Sequence, residues 1–215
     1  FGEDGPYEKR PAYDAVAQSL SGIASLFLDP EDPQTTGPTI GDNITGINAC
    51  YGILAALFER ERGGPPRSLG VNMLESSIWF LPDPFANLTQ QDIQPSPTSR
   101  SEASQSHAMR CSDGKLLAVH LSSQEKFWQG VTAAFGLEHM RDDPRYADRM
   151  QRIAHYFDMG AEFKGAAATQ PRDHWMPLLE ENDVPYAPIN NLQDVFDDPQ
   201  VKHLGMARKV TGHAR

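Results

Sequence analysis

One carboxylate in this sequence stands where it could act as a nucleophile. Asp42 follows Gly41, and the pair opens a long apolar segment that the pattern predicts to be a helix. A carboxylate beside a glycine at a turn can be approached closely by a substrate carbonyl. The same position is common for an ordinary helix N-cap, which contributes roughly 1 kcal/mol of stability. The local sequence favours the cap and leaves the nucleophile open.

The helix that positions Asp42 is predicted to run over residues 39–62. Apolar side chains recur along it at three- and four-residue spacing and also fill much of its other side. A helix that is apolar almost all round is typical of a protein core, so we expect it to be buried. Its end is indicated by the charged residues 59–62, which Gly63 and Gly64 follow.

Charge and composition exclude several classes of protein. The chain has 215 residues, a net charge of −10 and no basic block, so a nucleic-acid partner is not expected. The hydrophobic content of 39% is ordinary for a soluble protein, and no apolar run is long enough to span a membrane. Cys50 and Cys111 are well separated and indicate neither a disulfide framework nor a zinc site. We therefore expect a cytoplasmic protein without a metal.

The composition also divides the chain into successive parts. Residues 1–81 hold the candidate nucleophile and the central helix, and residues 82–105, rich in Pro, Ser, Thr and Gln, are predicted to be a linker. The residues from 106 onward form a second, more regular part. Within it, residues 112–114 predict a hairpin, and Ser122 with Glu125 predicts a capping box on the next helix.

Other signals of catalysis are missing from the sequence. The seven histidines are scattered, and no pair has the spacing of a zinc-protease helix. There is no G-x-S-x-G elbow, no Walker loop and no dinucleotide-binding glycine pattern. Residue chemistry alone therefore predicts a soluble protein with a candidate carboxylate.

Several segments, in their order and spacing, resemble class III coenzyme A transferases. In the first part these segments are residues 1–7, 10–22, 41–42 and 52–62. The second part resembles the small domain of the family at residues 112–114, 126–128, 143–145, 175, 184–185 and 198–200. The family includes formyl-CoA and carnitine-CoA transferases and the α-methylacyl-CoA racemases.

The resemblance implies an α/β fold. Residues 1–81 would be a portion of a Rossmann-like large domain, residues 106–190 the small α+β domain, and residues 191–215 a return segment toward the large domain. The first residue is Phe1 rather than Met, and the Rossmann-like amino-terminal half of the family is not in the sequence, so we expect a fragment. Family members form interlocked dimers, and a homodimer is therefore expected.

The resemblance also implies a site and its substrates. In the transferases the aspartate at the position of Asp42 attacks an acyl-CoA thioester, and a mixed anhydride and then an aspartyl-CoA thioester form. Amides at the helix start are expected to stabilise the charges that develop. Acyl-CoA and a carboxylic acid acceptor are the implied substrates, with no tightly bound cofactor. The family stretch at residues 10–14 lies along CoA, so Arg10, Tyr13 and Asp14 are the expected CoA contacts.

Two other functions stay open. Racemases of the family pair a histidine with the aspartate, but this chain has Tyr13 at that position and no histidine before His107. A phenol is too weak an acid for reversible proton transfer at neutral pH, which favours the transferase. The other alternative is a catalytically inactive fragment that acts only as a binding subunit.

Overall fold

The computed structural model describes residues 1–208 and divides into two compact units, residues 1–100 and the residues from 101 onward. The predicted α/β class is confirmed, because the described residues hold eleven α-helices and one three-stranded sheet. Residues 209–215, the end of the predicted return segment, lie outside the described residues.

The first unit is helical. Its helices are α1 (Asp14–Ser21), α2 (Ile40–Glu61), α3 (Met73–Trp79) and α4 (Pro82–Gln91). Helices α1, α2 and α3 pack against one another. The side chain of Asn72 caps α3 by accepting a hydrogen bond from the Glu75 amide at 3.0 Å. A short α3 therefore begins at a defined residue beside α2.

The predicted extent of α2 is confirmed, but its predicted burial is wrong for this chain. Gly41 is the only buried residue of the helix. The helices that pack against it, α1 and α3, have 8 and 7 residues, whereas α2 has 22, so they cannot cover it. Its large apolar side chains that remain exposed are Ile47, Tyr51, Ile53, Leu54, Leu57 and Phe58.

The predicted linker is not free of secondary structure. Residues 82–105 contain α4 and a further helix, α5 (Ser99–Ser104), and the division between the two units falls within this segment. Pro82 is the first residue of α4, where its missing N–H has no helical partner to lose. Proline therefore started a helix here instead of preventing one.

The second unit contains an antiparallel sheet in the order β1-β2-β3, formed by β1 (Ser106–Arg110), β2 (Leu116–His120) and β3 (Tyr186–Pro188). The predicted hairpin between β1 and β2 is confirmed. Gly114 has a φ of +79°, which glycine adopts without strain, and the Cys111 amide donates to the Lys115 carbonyl at 2.9 Å.

Further helices complete this unit. They are α6 (Glu125–Ala134), α7 (Arg149–Ala154), α8 (Tyr156–Ala167), α9 (Arg172–Glu181), α10 (Leu192–Asp197) and α11 (Pro199–His203). Helix α8 packs on β1, and α9 packs on β3 and α6. The core between these elements includes Met109, Leu117, Val119, Trp128, Val131, Phe135, Phe163, Trp175 and Leu179.

The predicted capping box at the start of α6 is wrong. Ser122 has a φ of +52°, and Gln124, which holds the N-cap position, makes no side-chain cap. The Glu125 carboxylate instead pairs with Arg152 of α7, with 2.7 Å between Oε2 and Nη2. A buried guanidinium attracts a carboxylate more strongly than a backbone amide does, so the tertiary contact replaces the local one.

Candidate active site

Asp42 does not cap α2, so this local prediction is wrong. The N-cap position belongs to Thr39, and Asp42 is the third residue of the helix, in its first turn. Its side chain is exposed and makes no hydrogen bond or ion pair with the residues that the structure describes. A carboxylate that is not used as a cap is available to a ligand.

The cap of α2 comes from another helix. Oδ1 of Asp14, the first residue of α1, accepts a hydrogen bond from the backbone N–H of Asp42 at 3.2 Å. Thr39 makes no side-chain cap, so Asp14 provides the capping carboxylate from a distant position. Its negative charge also lies at the positive end of the helix dipole. The backbone amide of Asp42 is one of the amides expected to stabilise the developing charges. It is already hydrogen-bonded to Asp14.

Gln18 supports the same arrangement. Its side-chain Nε2 donates to Oδ2 of Asp14 at 2.6 Å and to the backbone carbonyl of Pro38 at 3.2 Å. The Pro38 carbonyl also accepts from the Ile40 amide at 2.8 Å, where α2 begins. Asp14 and Gln18, which are buried or partly buried, thus contact the chain on either side of the first residue of α2.

Gly41 makes the close approach of α1 to α2 possible. A Cβ atom at this position would lie 3.1 Å from Oδ1 of Asp14 and 3.4 Å from Oγ of Ser77 in α3. Ser77 is fully buried, and its hydroxyl has no hydrogen-bond partner within the described part of the chain. Helices α1, α2 and α3 therefore meet where residue 41 has no side chain.

The three residues expected to contact CoA, Arg10, Tyr13 and Asp14, have different surroundings. Tyr13 immediately precedes α1 and is 76% exposed, so its ring is open to a ligand. The guanidinium carbon of Arg10 lies 3.8 Å from the centre of the Tyr7 ring, a cation–π contact. Of these three residues, Asp14 is the one that contacts Asp42, and its side-chain carboxylate accepts a hydrogen bond from the Asp42 backbone amide.

Sequence reasoning missed Gln18 and the role of Gly41. The Asp14–Gln18 pair has the four-residue spacing at which such side chains hydrogen-bond on a helix, and this signal was available. The contact between Asp14 and Asp42 had no local signal. Among residues 1–208 no group of His, Cys, Asp and Glu is placed to hold a metal ion, and no helix is long and apolar enough to cross a membrane.

Comparison with known proteins identifies the family. The model of CoA-transferase family III matches residues 1–215, and the chain belongs to this family. The chain is similar to mouse succinyl-CoA:glutarate CoA-transferase, with 28% identity over 98% of this chain and 48% of the relative. Formyl-CoA:oxalate CoA-transferase of Streptomyces avermitilis is 27% identical over 91% of this chain and 52% of the relative.

A solved structure shows the same fold. The crystal structure of a CAIB/BAIF family protein from Brucella suis superposes with a TM-score of 0.80 and 27% identity, over 96% of this chain and 55% of that one. The chain thus spans about half the length of the relatives that it matches.

Proposed function

We propose that the protein containing this chain transfers CoA from an acyl-CoA to a carboxylic acid, with Asp42 as the nucleophile. The observation that carries the proposal is the state of Asp42 in a chain of this family. Its carboxylate is exposed and unpaired within the described residues, while its backbone is held by Asp14 in the first turn of α2. A fixed backbone with a free carboxylate is suited to covalent catalysis.

The first half of the reaction would transfer CoA to the enzyme. An Asp42 carboxylate oxygen attacks the thioester carbon, the C–S bond breaks, CoA leaves as a thiolate, and a mixed anhydride between Asp42 and the acyl group remains. The thiolate then attacks the Asp42 carbonyl of the anhydride. The donor acid leaves as a carboxylate, and an aspartyl-CoA thioester remains.

The second half would reverse these steps with the acceptor. The acceptor carboxylate attacks the Asp42 carbonyl, CoA leaves as a thiolate, and a second anhydride forms. The thiolate attacks the acceptor carbonyl, which forms the new acyl-CoA and releases the Asp42 carboxylate. Each step consumes one anion and releases another, so the sequence needs no general acid or base. This agrees with an Asp42 that has no histidine beside it in the sequence.

The substrates and partners form part of the proposal. Arg10 and Tyr13 would contact CoA, and exposed Tyr13 is best placed to do so. No tightly bound cofactor is required, since the thioester supplies the reactive group. A cytoplasmic homodimer completes the proposal. The free thiols of Cys50 and Cys111 support a reducing compartment, and the resemblance to the family supports the dimer.

The test uses the longest natural gene product that contains this sequence, because the relatives are about twice as long. We expect Asp42→Asn to lower kcat at least about 10³-fold while CoA still binds. Peptide mass spectrometry on the wild type should find an acyl or CoA adduct on Asp42. Asp83→Asn is the matched control, since Asp83 is also exposed in the first turn of a helix.

Other outcomes would contradict the proposal. Unchanged turnover in Asp42→Asn would exclude Asp42 as the nucleophile. An assay in heavy water that puts deuterium on the acyl α-carbon without any Asp42 adduct would identify a racemase. Absence of both signals in the full gene product would leave the inactive binding subunit.

A further inference from the structure

We propose that Asp14 and Gln18 are positioning residues that fix Asp42 through its backbone, an inference that rests on the proposed function. Neither side chain contacts the Asp42 carboxylate within the described structure. Together they form a two-point clamp, which we define as the Asp14–Asp42 and Gln18–Pro38 hydrogen bonds. The clamp sets where the first turn of α2, and with it the nucleophile, lies.

The two hydrogen bonds of the clamp are joined by a third, between the side chains of Gln18 and Asp14. One oxygen of Asp14 binds the Asp42 amide, and the other binds Gln18. The amide of Gln18 uses the same nitrogen for Asp14 and for the Pro38 carbonyl. Gln18 is only 7% exposed, so water cannot easily replace the two hydrogen bonds that its own side chain makes. The clamp therefore connects α1 to the start of α2.

The start of α2 depends on this connection because it lacks a cap of its own. The Thr39 side chain does not cap the helix, and the Asp42 carboxylate does not either. Without Asp14, the Asp42 amide would lose the acceptor that it has among the described residues, and the first turn would fray more easily. A nucleophile displaced by about 1 Å can lose on the order of 10²-fold in rate.

The competing role for Asp14 is direct contact with CoA, which the family resemblance implies. The phosphates of CoA are anionic and would repel a carboxylate, and both Asp14 oxygens already accept hydrogen bonds. The two roles differ in their kinetics. A residue that positions Asp42 affects kcat, whereas a residue that only binds CoA affects KM.

The test compares Asp14→Ala, Asp14→Asn and Gln18→Ala in the longest natural gene product. We expect Asp14→Ala to lower kcat by about 10- to 100-fold with KM for acyl-CoA within about threefold. Asp14→Asn should recover part of the rate, because its amide oxygen can still accept from Asp42, although its NH2 group cannot accept from Gln18. Ser19→Ala, which alters an exposed neighbour on α1, is the control.

Hydrogen exchange provides a readout that does not depend on turnover. With residue-resolved mass spectrometry, the Asp42 amide should exchange about tenfold faster in Asp14→Ala than in the wild type, and Asp14→Asn should stay close to the wild type. If Asp14→Ala does not fold, the same measurements of kcat and Asp42 amide exchange on Gln18→Ala test the clamp.

Failure of this inference is distinct from failure of the proposed function. Asp14→Ala with unchanged kcat and unchanged Asp42 exchange would overturn the clamp while Asp42→Asn remains inactive. A raised KM alone, without faster exchange, would assign Asp14 to CoA binding and also overturn the clamp. Full turnover in Asp42→Asn would overturn the proposed function and the positioning role with it.

Discussion

The carboxylate of Asp14 accepts a hydrogen bond from the backbone amide of Asp42 at 3.2 Å, although 28 residues separate the two in the chain. This bond caps the longest helix of the described structure from a neighbouring helix. It leaves the Asp42 side chain free, which a local cap formed by Asp42 itself would not do. The helix that carries the proposed nucleophile is thereby capped by a different aspartate.

Close packing at Gly41 gives a prediction about the clamp. A Cβ added by Gly41→Ala would press on Asp14 Oδ1 at 3.1 Å and would reach van der Waals contact with Ser77 Oγ at 3.4 Å. We expect kcat to fall by about tenfold, because Asp14 must shift away from the Asp42 amide. Steady-state kinetics together with Asp42 amide exchange would measure the effect.

Gly46→Ala is the matched control for Gly41→Ala. Gly46 lies in the same helix, and nothing lies within 4 Å of an added Cβ. We expect its free energy of unfolding to rise by about 0.5–1 kcal/mol from helix propensity, with activity unchanged. Equal gains in stability and equal activity for both variants would show that residue 41 has room for a side chain.

The Arg152 cluster gives a prediction about stability in the second unit. The Arg152 side chain is 3% exposed and donates to Gln105, to the Tyr146 carbonyl and to Glu125. Arg152→Met should lower the free energy of unfolding by about 2–4 kcal/mol, because buried acceptors lose their donor. Urea unfolding followed by fluorescence would measure it.

Two exposed charged residues, Glu125 and Arg145, serve as controls for the buried Arg152. Glu125 is 59% exposed, so Glu125→Gln should cost less than about 1 kcal/mol. Arg145 has the same 2.7 Å ion-pair distance to Asp143 but is 46% exposed, so Arg145→Met should change stability little. If all of these variants lost similar stability, burial would not be what makes Arg152 important.

His107 gives a prediction about pH. Its ring stacks on Tyr156 at 4.4 Å between centroids, and burial, with a smaller effect of the Lys164 charge, lowers the pKa of His107 from 6.5 to about 4. Between these values the unfolded state binds more protons than the folded state. The free energy of unfolding therefore falls with decreasing pH in this window, by about 2 kcal/mol from pH 7 to pH 5.

The variant His107→Phe removes this titration while keeping a ring beside Tyr156. We expect the loss of stability between pH 7 and pH 5 to be smaller in this variant than in the wild type, by about 2 kcal/mol. His139→Gln alters an exposed histidine and should behave like the wild type. Identical pH dependence in His107→Phe and the wild type would show that His107 is not buried in its neutral form.

Local patterns were sufficient to predict several elements. The apolar periodicity of residues 39–62 predicted α2 to within a residue at each end, and residues 112–114 predicted the hairpin. Both depend on interactions between residues close in sequence. The capping box at Ser122 failed because Glu125 meets Arg152, a residue 27 positions away.

The sequence pattern did not predict the exposure of α2. Its apolar residues predicted a core helix, yet in this chain most of them are exposed. Periodicity reports which side chains prefer to be buried, but it does not report how much of the chain is available to cover them. Helices as short as α1 and α3 leave most of α2 uncovered.

The sequence by itself determined the α/β class, the family resemblance and the choice of Asp42 as the candidate nucleophile. Only the tertiary structure decided that Asp14, which is hydrogen-bonded to Gln18, contacts the Asp42 amide and that Gly41 permits the contact. The physical reason is the range of the interactions. Helix and turn signals act over a few residues, whereas a hydrogen bond between Asp14 and Asp42 exists only once α1 packs against α2.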